Sequence, residues 1–162
     1  MKTNFLIAYL NAIFCLAATL PAAADDLPLV EFRTSIGTIV VELYPEKSPK
    51  TVKNFLGYVL DQYYDEMIFH RVIDDWVIQS GNYTEDLVGY ETKAAIRNEA
   101  ANGLQNLRGT LAMARGNDPH SAAAQFFINL ADNHSLDHKA RTMDLYGYCV
   151  FGKVVEGMEV AD

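Results

Sequence analysis

Arg71 lies inside one of the most apolar stretches of the chain, Ile68–Asn82, which reads IFHRVIDDWVIQSGN. A guanidinium in such a run costs free energy unless it faces water or a ligand. Gln79 follows at an even offset, which in a continuous strand would put both side chains on one face. Asp74 and Asp75 interrupt the run, so the offset alone leaves the register open. Gln125 opens a second apolar run, QFFINL over Gln125–Leu130. A cation, two amides and several aromatic rings could line one shallow pocket. Such a pocket would offer hydrogen-bond donors to a polar group held against an apolar wall.

Other candidates for chemistry are weaker. His120, His134 and His138 read as loop residues. His134 and His138 are four apart, but no helical stripe surrounds them and no Cys, Glu or further His completes a tetrad, so a metal site is not expected. His70 is expected to be satisfied within the core or at its rim. Asp74 and Asp75 could pass for a paired-carboxylate site, yet neighbours on a strand point opposite ways, and a solvated turn is the better reading. Glycines are scattered rather than clustered as a phosphate cradle requires, and no nucleophile elbow appears. Cys149, between Tyr148 and Val150, reads as a buried small hydrophobe, since no basic neighbour in sequence would activate it.

The elements that must position these residues are mostly strands. Leu29–Arg33 and Thr38–Tyr44 flank a Ser35-Ile36-Gly37 turn and read as a hairpin. Ser48 and Pro49 predict a helix start, with Ser as N-cap and Pro in the first helical position. Val52, Phe55, Leu56, Val59 and Leu60 recur at helical spacing as its buried stripe. Tyr83–Ala95 is polar and unpatterned, a surface loop. Gly109–Arg115, Gln125–Leu130 and Tyr148–Val155 are further strands, and Met158–Asp162 looks like the start of a second helix. The class is a mainly antiparallel β fold, closed or nearly so, with helical covers.

The first 24 residues read differently from the rest. Lys2 is a short positive region, Phe5–Leu20 an apolar one, and Ala22-Ala23-Ala24 supplies small residues at a cleavage position. This predicts a secretory signal peptide over 1–24 and one folded domain over 25–162. An uncleaved anchor is the alternative, disfavoured by the short apolar run and by Asn11 within it. Cys15 as a lipoprotein signal is discounted because bulky Phe14 precedes it. The mature chain would have 162 − 24 = 138 residues, and loss of Lys2 takes the net charge from −8 to −9. That acidity argues against nucleic acid as a partner. One remaining cysteine cannot form an internal disulfide.

Several separate segments in order carry a family resemblance: FHRVI (Phe69–Ile73), QSG (Gln79–Gly81), GTLAMAR (Gly109–Arg115), AQFFIN (Ala124–Asn129) and VFGKVVEGM (Val150–Met158). Together they resemble the cyclophilin family of peptidyl-prolyl cis-trans isomerases over about Leu29 to Asp162. The likeness is greatest to bacterial exported cyclophilins, through Ile96–Leu104 and Asp118–Ala122. The resemblance implies a closed antiparallel β-barrel capped by helices. It implies Arg71 as the catalytic arginine with Gln79 beside it, and Gln125 as a further polar contact. Trp76, Val77, Met113, Phe127 and Leu136 would form the proline pocket. Ala114 and Arg115 would border the peptide, and Tyr148 would complete the site where many members carry His.

Four departures from the family pattern bear on this. Asp74-Asp75 stand for the usual Pro-Gly, Ser80 for a Gly, and Ser135 for an aromatic that many relatives place before the pocket leucine. The family also continues beyond the point matched by Asp162, through its second helix and a final strand; an edge stays unpaired if the product ends there, and the question disappears if the sequence is a fragment. The implied function is acceleration of X-Pro bond rotation in exported proteins as they fold, in the periplasm or outside the cell. The implied partners are proline-containing segments of unfolded or folding proteins, met by a monomer with no cofactor and no stable membrane insertion after cleavage. The alternative is a non-catalytic module or chaperone that binds proline peptides in a degenerate groove.

Overall fold

The computed structural model describes residues 27–162. The predicted signal segment over 1–24, with Cys15, lies outside the described residues. The first hairpin forms as expected: β1 (Leu29–Thr34) pairs with β2 (Gly37–Leu43), and Thr34 opposes Gly37. The remaining strands are β3 (Arg71–Ile73), β4 (Val77–Ser80), β5 (Thr110–Met113), β6 (Phe126–Asn129) and β7 (Val150–Glu156). They make one antiparallel seven-stranded sheet in the order β1-β2-β7-β5-β6-β4-β3.

One sequence expectation is sharpened here and another changes. Among the described residues the barrel is not closed: β1 pairs only with β2, and β3 only with β4. A cleft of about 1460 Å³ lies along these edges, lined by Val30, Phe32, Val72, Ile78 and Phe126 among others. The run Ile68–Asn82 is also not one interrupted strand but a hairpin. Asp74 and Asp75 form its exposed turn, with Asp75 in the left-handed region at φ 53°. Asp reaches that conformation at less cost than most residues, which lets it stand for the usual glycine.

The sheet's concave face holds the main core. Ile39, Val41, Leu43, Leu111, Met113, Phe126, Ile128 and Phe151 pack there against Val52 and Phe55 of α1 (Pro49–Leu60) and Ala161 of α2 (Met158–Ala161). Phe55 is ringed by Phe32, Tyr64, Phe126 and Phe151 at centroid distances of 5.1–6.2 Å. Residues of β5 and β6 are buried on both faces, so TLAM and FFIN read as continuous apolar runs rather than alternating ones.

The helix differs from its expected form at two places. Its buried face is Thr51, Val52, Phe55 and Tyr58, while Leu60 is exposed, so the stripe is rotated toward Tyr58. Ser48 holds the N-cap position but makes no capping bond; its Oγ donates to the Val150 carbonyl at 2.9 Å. Glu99, distant in sequence, takes over the task. Its carboxylate accepts from the amides of Lys50 (3.3 Å) and Thr51 (2.9 Å) and from the Thr51 hydroxyl (2.9 Å). A negative charge on the first-turn amides also suits the helix dipole.

Candidate active site

The β3–β4 hairpin makes Arg71 and Gln79 direct cross-strand partners. Arg71 Nη1 donates to Gln79 Oε1 at 3.3 Å, and Gln79 Nε2 donates to Gln125 Oε1 at 2.8 Å. The Arg71 guanidinium lies over the Trp76 ring, 4.5 Å from its centroid. The expected cluster of a cation and two amides therefore exists. Hairpin register creates it, not the shared face of a single strand.

Next to this polar chain lies a second apolar cluster on the sheet's outer face. Its buried members are Val77, Ala112, Phe127 and Val150, with Trp76, Leu104, Ala114, Leu136 and Tyr148 packed against them. Phe127 meets Tyr148 edge-on at 5.7 Å. The result is an apolar floor with Arg71, Gln79 and Gln125 along one side. On the other side Arg115 lies over Tyr148, 4.7 Å from the ring centroid. Its Nε donates to the Gly147 carbonyl at 3.1 Å and its Nη1 to the Gly116 carbonyl at 2.9 Å.

Met113 does not join this site. It is almost wholly buried in the concave core with Leu111, because alternate residues of β5 face opposite sides. It therefore packs in the core and not in the proline pocket that the resemblance implies. Leu104 was not expected from the sequence and is found in the outer cluster. Its only signal was a lone apolar side chain in the polar loop NGLQN. Ser135 is exposed in a short turn, His134–Leu136, and contributes no wall. Ser80 is buried, and its Oγ donates to the Ile68 carbonyl at 2.9 Å, tying the end of β4 to the chain entering β3.

A buried amide network supports the floor from below. Asn133 Nδ2 donates to the Trp76 carbonyl (2.9 Å) and to Asn129 Oδ1 (2.8 Å), while Asn129 Nδ2 donates to Thr110 Oγ1 (2.9 Å). The amides of Leu136 and Tyr148 donate to the carbonyls of Asn133 and Leu136, both at 2.9 Å. Trp76, Leu136 and Tyr148 thus hang from one framework. Asp137 closes it by accepting from the Asn106 amide at 2.7 Å. Burial alone would raise the Asp137 carboxyl, but bonds from Asn106 and His134 hold it below its usual range.

His70 is not satisfied as expected. Its Nδ1 is buried with no hydrogen-bond partner among the described residues, and the ring meets Tyr83 edge-on at 5.2 Å. Burial pulls its pKa down; the Ile68 carbonyl opposes this and the Arg71 charge adds to it. Cys149 is buried, as read from the sequence, and burial pushes its thiol pKa up.

The description "Cyclophilin type peptidyl-prolyl cis-trans isomerase/CLD" matches residues 29–162. A peptidyl-prolyl cis-trans isomerase of Streptomyces antibioticus is 56% identical over 133 residues, covering 82% of this chain and 80% of the relative. Peptidyl-prolyl cis-trans isomerase B of Escherichia coli is 50% identical over 134 residues, covering 83% and 82%. A crystal structure of a Cryptosporidium parvum cyclophilin superposes with a TM-score of 0.70 at 28% identity, covering 82% of this chain and 80% of that one. That cyclophilin has also been crystallised in the presence of the dipeptide Ala-Pro, with a TM-score of 0.68 to this chain at 28% identity, covering 81% and 80%.

Proposed function

Since the chain belongs to the cyclophilin family and is a peptidyl-prolyl cis-trans isomerase, we propose that it acts as a monomer on proline-containing segments of exported proteins as they fold. The observation that carries the reading of the site is the Arg71–Gln79–Gln125 chain along the edge of the Phe127 floor. The apolar amino-terminal segment supports export to the periplasm or beyond, with cleavage near Ala24.

The chemistry needs little more than this site holds. Rotation about an amide faces a barrier of about 18–20 kcal/mol because it breaks conjugation. Without help, X-Pro exchange takes roughly tens to hundreds of seconds. No covalent bond forms or breaks. The prolyl ring is held on the floor of Val77, Phe127 and Leu136, walled by Trp76. Gln125 and the backbone at Ala114 border the flanking peptide. As the amide twists, the prolyl nitrogen regains its lone pair and becomes an acceptor. Arg71 donates to it, an interaction absent from the planar ground state and therefore one that lowers the barrier. A guanidinium offers several N–H donors, so one can reach the nitrogen while another stays on Gln79. Gln79, bonded to Gln125, keeps Arg71 at the edge of the hollow, and exclusion of water by the rings strengthens the developing bond.

The test is an exchange assay on a short X-Pro peptide, by NMR or protease coupling, with the wild type and Arg71→Ala. Fast exchange is expected, reduced in the variant by roughly tenfold to a thousandfold, as for loss of one transition-state donor. Equal rates in the two proteins would remove Arg71 from the mechanism. Peptide binding without acceleration would point to a groove that only holds proline segments. The export reading is checked by fractionation of cells expressing the full chain: a periplasmic product about 24 residues shorter supports it, and a full-length cytoplasmic product overturns it.

A further inference from the structure

We propose that Arg115 reads charge beside the proline site, favouring segments that carry Asp or Glu close to the proline. This rests on the isomerase reading above and adds a substrate class to it. Arg115 is fixed in place: its guanidinium stacks on Tyr148, and it donates to the carbonyls of Gly147 and Gly116, with a longer bond to Asn117 at 3.4 Å. Tyr148 in turn touches Phe127 on the pocket floor. Arg115 is therefore one ring away from the hollow that would take proline.

What is left over on Arg115 points to a ligand. Among the described residues its Nη2 has no hydrogen-bond partner. It also forms no ion pair with any carboxylate there. Asp118, three residues on, instead directs Oδ1 at the His120 amide at 2.8 Å. The Arg115 guanidinium is partly exposed, so an incoming carboxylate can reach it. Freezing an arginine normally costs side-chain entropy on binding; stacking and carbonyl bonds have already met most of that cost in the free protein. A carboxylate reaching Nη2 would gain a charge-assisted hydrogen bond, which a neutral amide of the same shape would make more weakly. Arg71 is assigned to the bond being rotated under the isomerase reading, which leaves Arg115 for the flanking charge.

The experiment uses peptides of one backbone with Glu, Gln or Lys at each position flanking the proline. Both kcat/KM by NMR exchange and Kd by titration are read, for the wild type, Arg115→Gln and Arg115→Lys. At one position Glu should exceed Gln by roughly three- to tenfold in the wild type, with Lys below Gln and the preference shrinking as salt rises. The Glu/Gln ratio should fall to about one in Arg115→Gln and survive in part in Arg115→Lys, which keeps the charge but loses the fork. Each ratio is internal to its variant, so general damage to the groove cancels. A wild type blind to charge, or a ratio unchanged in Arg115→Gln, overturns the proposal. If no peptide is turned over, the isomerase reading fails on its own, and the Kd ratios still decide what Arg115 reads.

Discussion

Two arginines flank the apolar hollow, each stacked on an aromatic ring at nearly the same distance, yet they are held in opposite ways. Arg71 lies 4.5 Å from the Trp76 centroid and has one long bond, to Gln79. Arg115 lies 4.7 Å from the Tyr148 centroid and is clamped by backbone carbonyls on the Gly147 and Gly116 segments. A guanidinium with loosely engaged donors can form its strongest bond only when the substrate twists, as differential stabilisation requires. A guanidinium already bonded through Nε and Nη1 presents a fixed charge and one free donor group at the rim. The contrast in restraint is what the two proposed roles rest on: a donor free to change partners at Arg71 and a fixed charge at Arg115.

The largest break in that comparison is expected from exchanging the two heads for ammonium groups. Arg71→Lys should lower kcat/KM roughly tenfold to a hundredfold, with little change in thermal midpoint, because one point charge cannot bond Gln79 and the prolyl nitrogen together. The same exchange at Arg115 should cost far less in turnover. A similar loss at both sites would erase the distinction.

Gly147→Ala attacks the Arg115 clamp through the backbone. Gly147 has φ 74°, and a Cβ there would stand 2.6 Å from backbone atoms of Asp137 and His138. The expected loss is about 1–3 kcal/mol of stability, seen in denaturant unfolding, together with blunted charge discrimination among peptides. Unchanged stability would mean that the Asp137–His138 segment gives way freely.

Gln125→Leu sharpens the Arg71 side. It removes the acceptor that holds Gln79 Nε2 and should reduce kcat/KM several-fold, equivalent to about 1 kcal/mol for one neutral hydrogen bond. A fall carried by KM alone would instead make Gln125 a peptide contact with no part in placing Arg71.

The smallest effect should appear as a pH dependence of the framework under the floor. The Asp137 carboxyl has its folded pKa depressed, so the unfolded state binds the extra proton first. Its contribution is fully present above the unfolded value of about 3.9 and is lost as pH falls through the lower folded value. Asp137→Asn should flatten the acid limb of the stability curve. An identical limb in the variant would assign acid sensitivity to other carboxylates.

Much of this site was legible because its signals are local. The β1–β2 hairpin follows from β-branched runs around a turn, and the polar cluster follows from three polar residues out of place in apolar strands. The reasons were less legible than the residues. Arg71 and Gln79 meet across a hairpin, which an even offset also produces when the turn lies midway between them. Met113 was misplaced because Thr110–Met113 is buried throughout, and a run with no polar residue does not reveal which parity faces inward. The Ser48 cap failed because a hydroxyl goes to the best acceptor nearby, and only the fold brings the Val150 carbonyl and Glu99 to that helix end.

By itself the sequence determined the antiparallel strand-rich class, the start of α1 and the presence of a cation and two amides in apolar runs. These depend on side-chain period, turn chemistry and charge in apolar surroundings, all of which act over a few neighbours. Only the tertiary structure decided which face of β5 forms the floor, that Asn129 and Asn133 hold Trp76 and Leu136 from beneath, and that Arg115 is locked on Tyr148. It also decided that β1 and β3 remain edges among the described residues. Those outcomes join residues many positions apart, and no local pattern encodes which of many candidate partners a long chain will bring within hydrogen-bond reach.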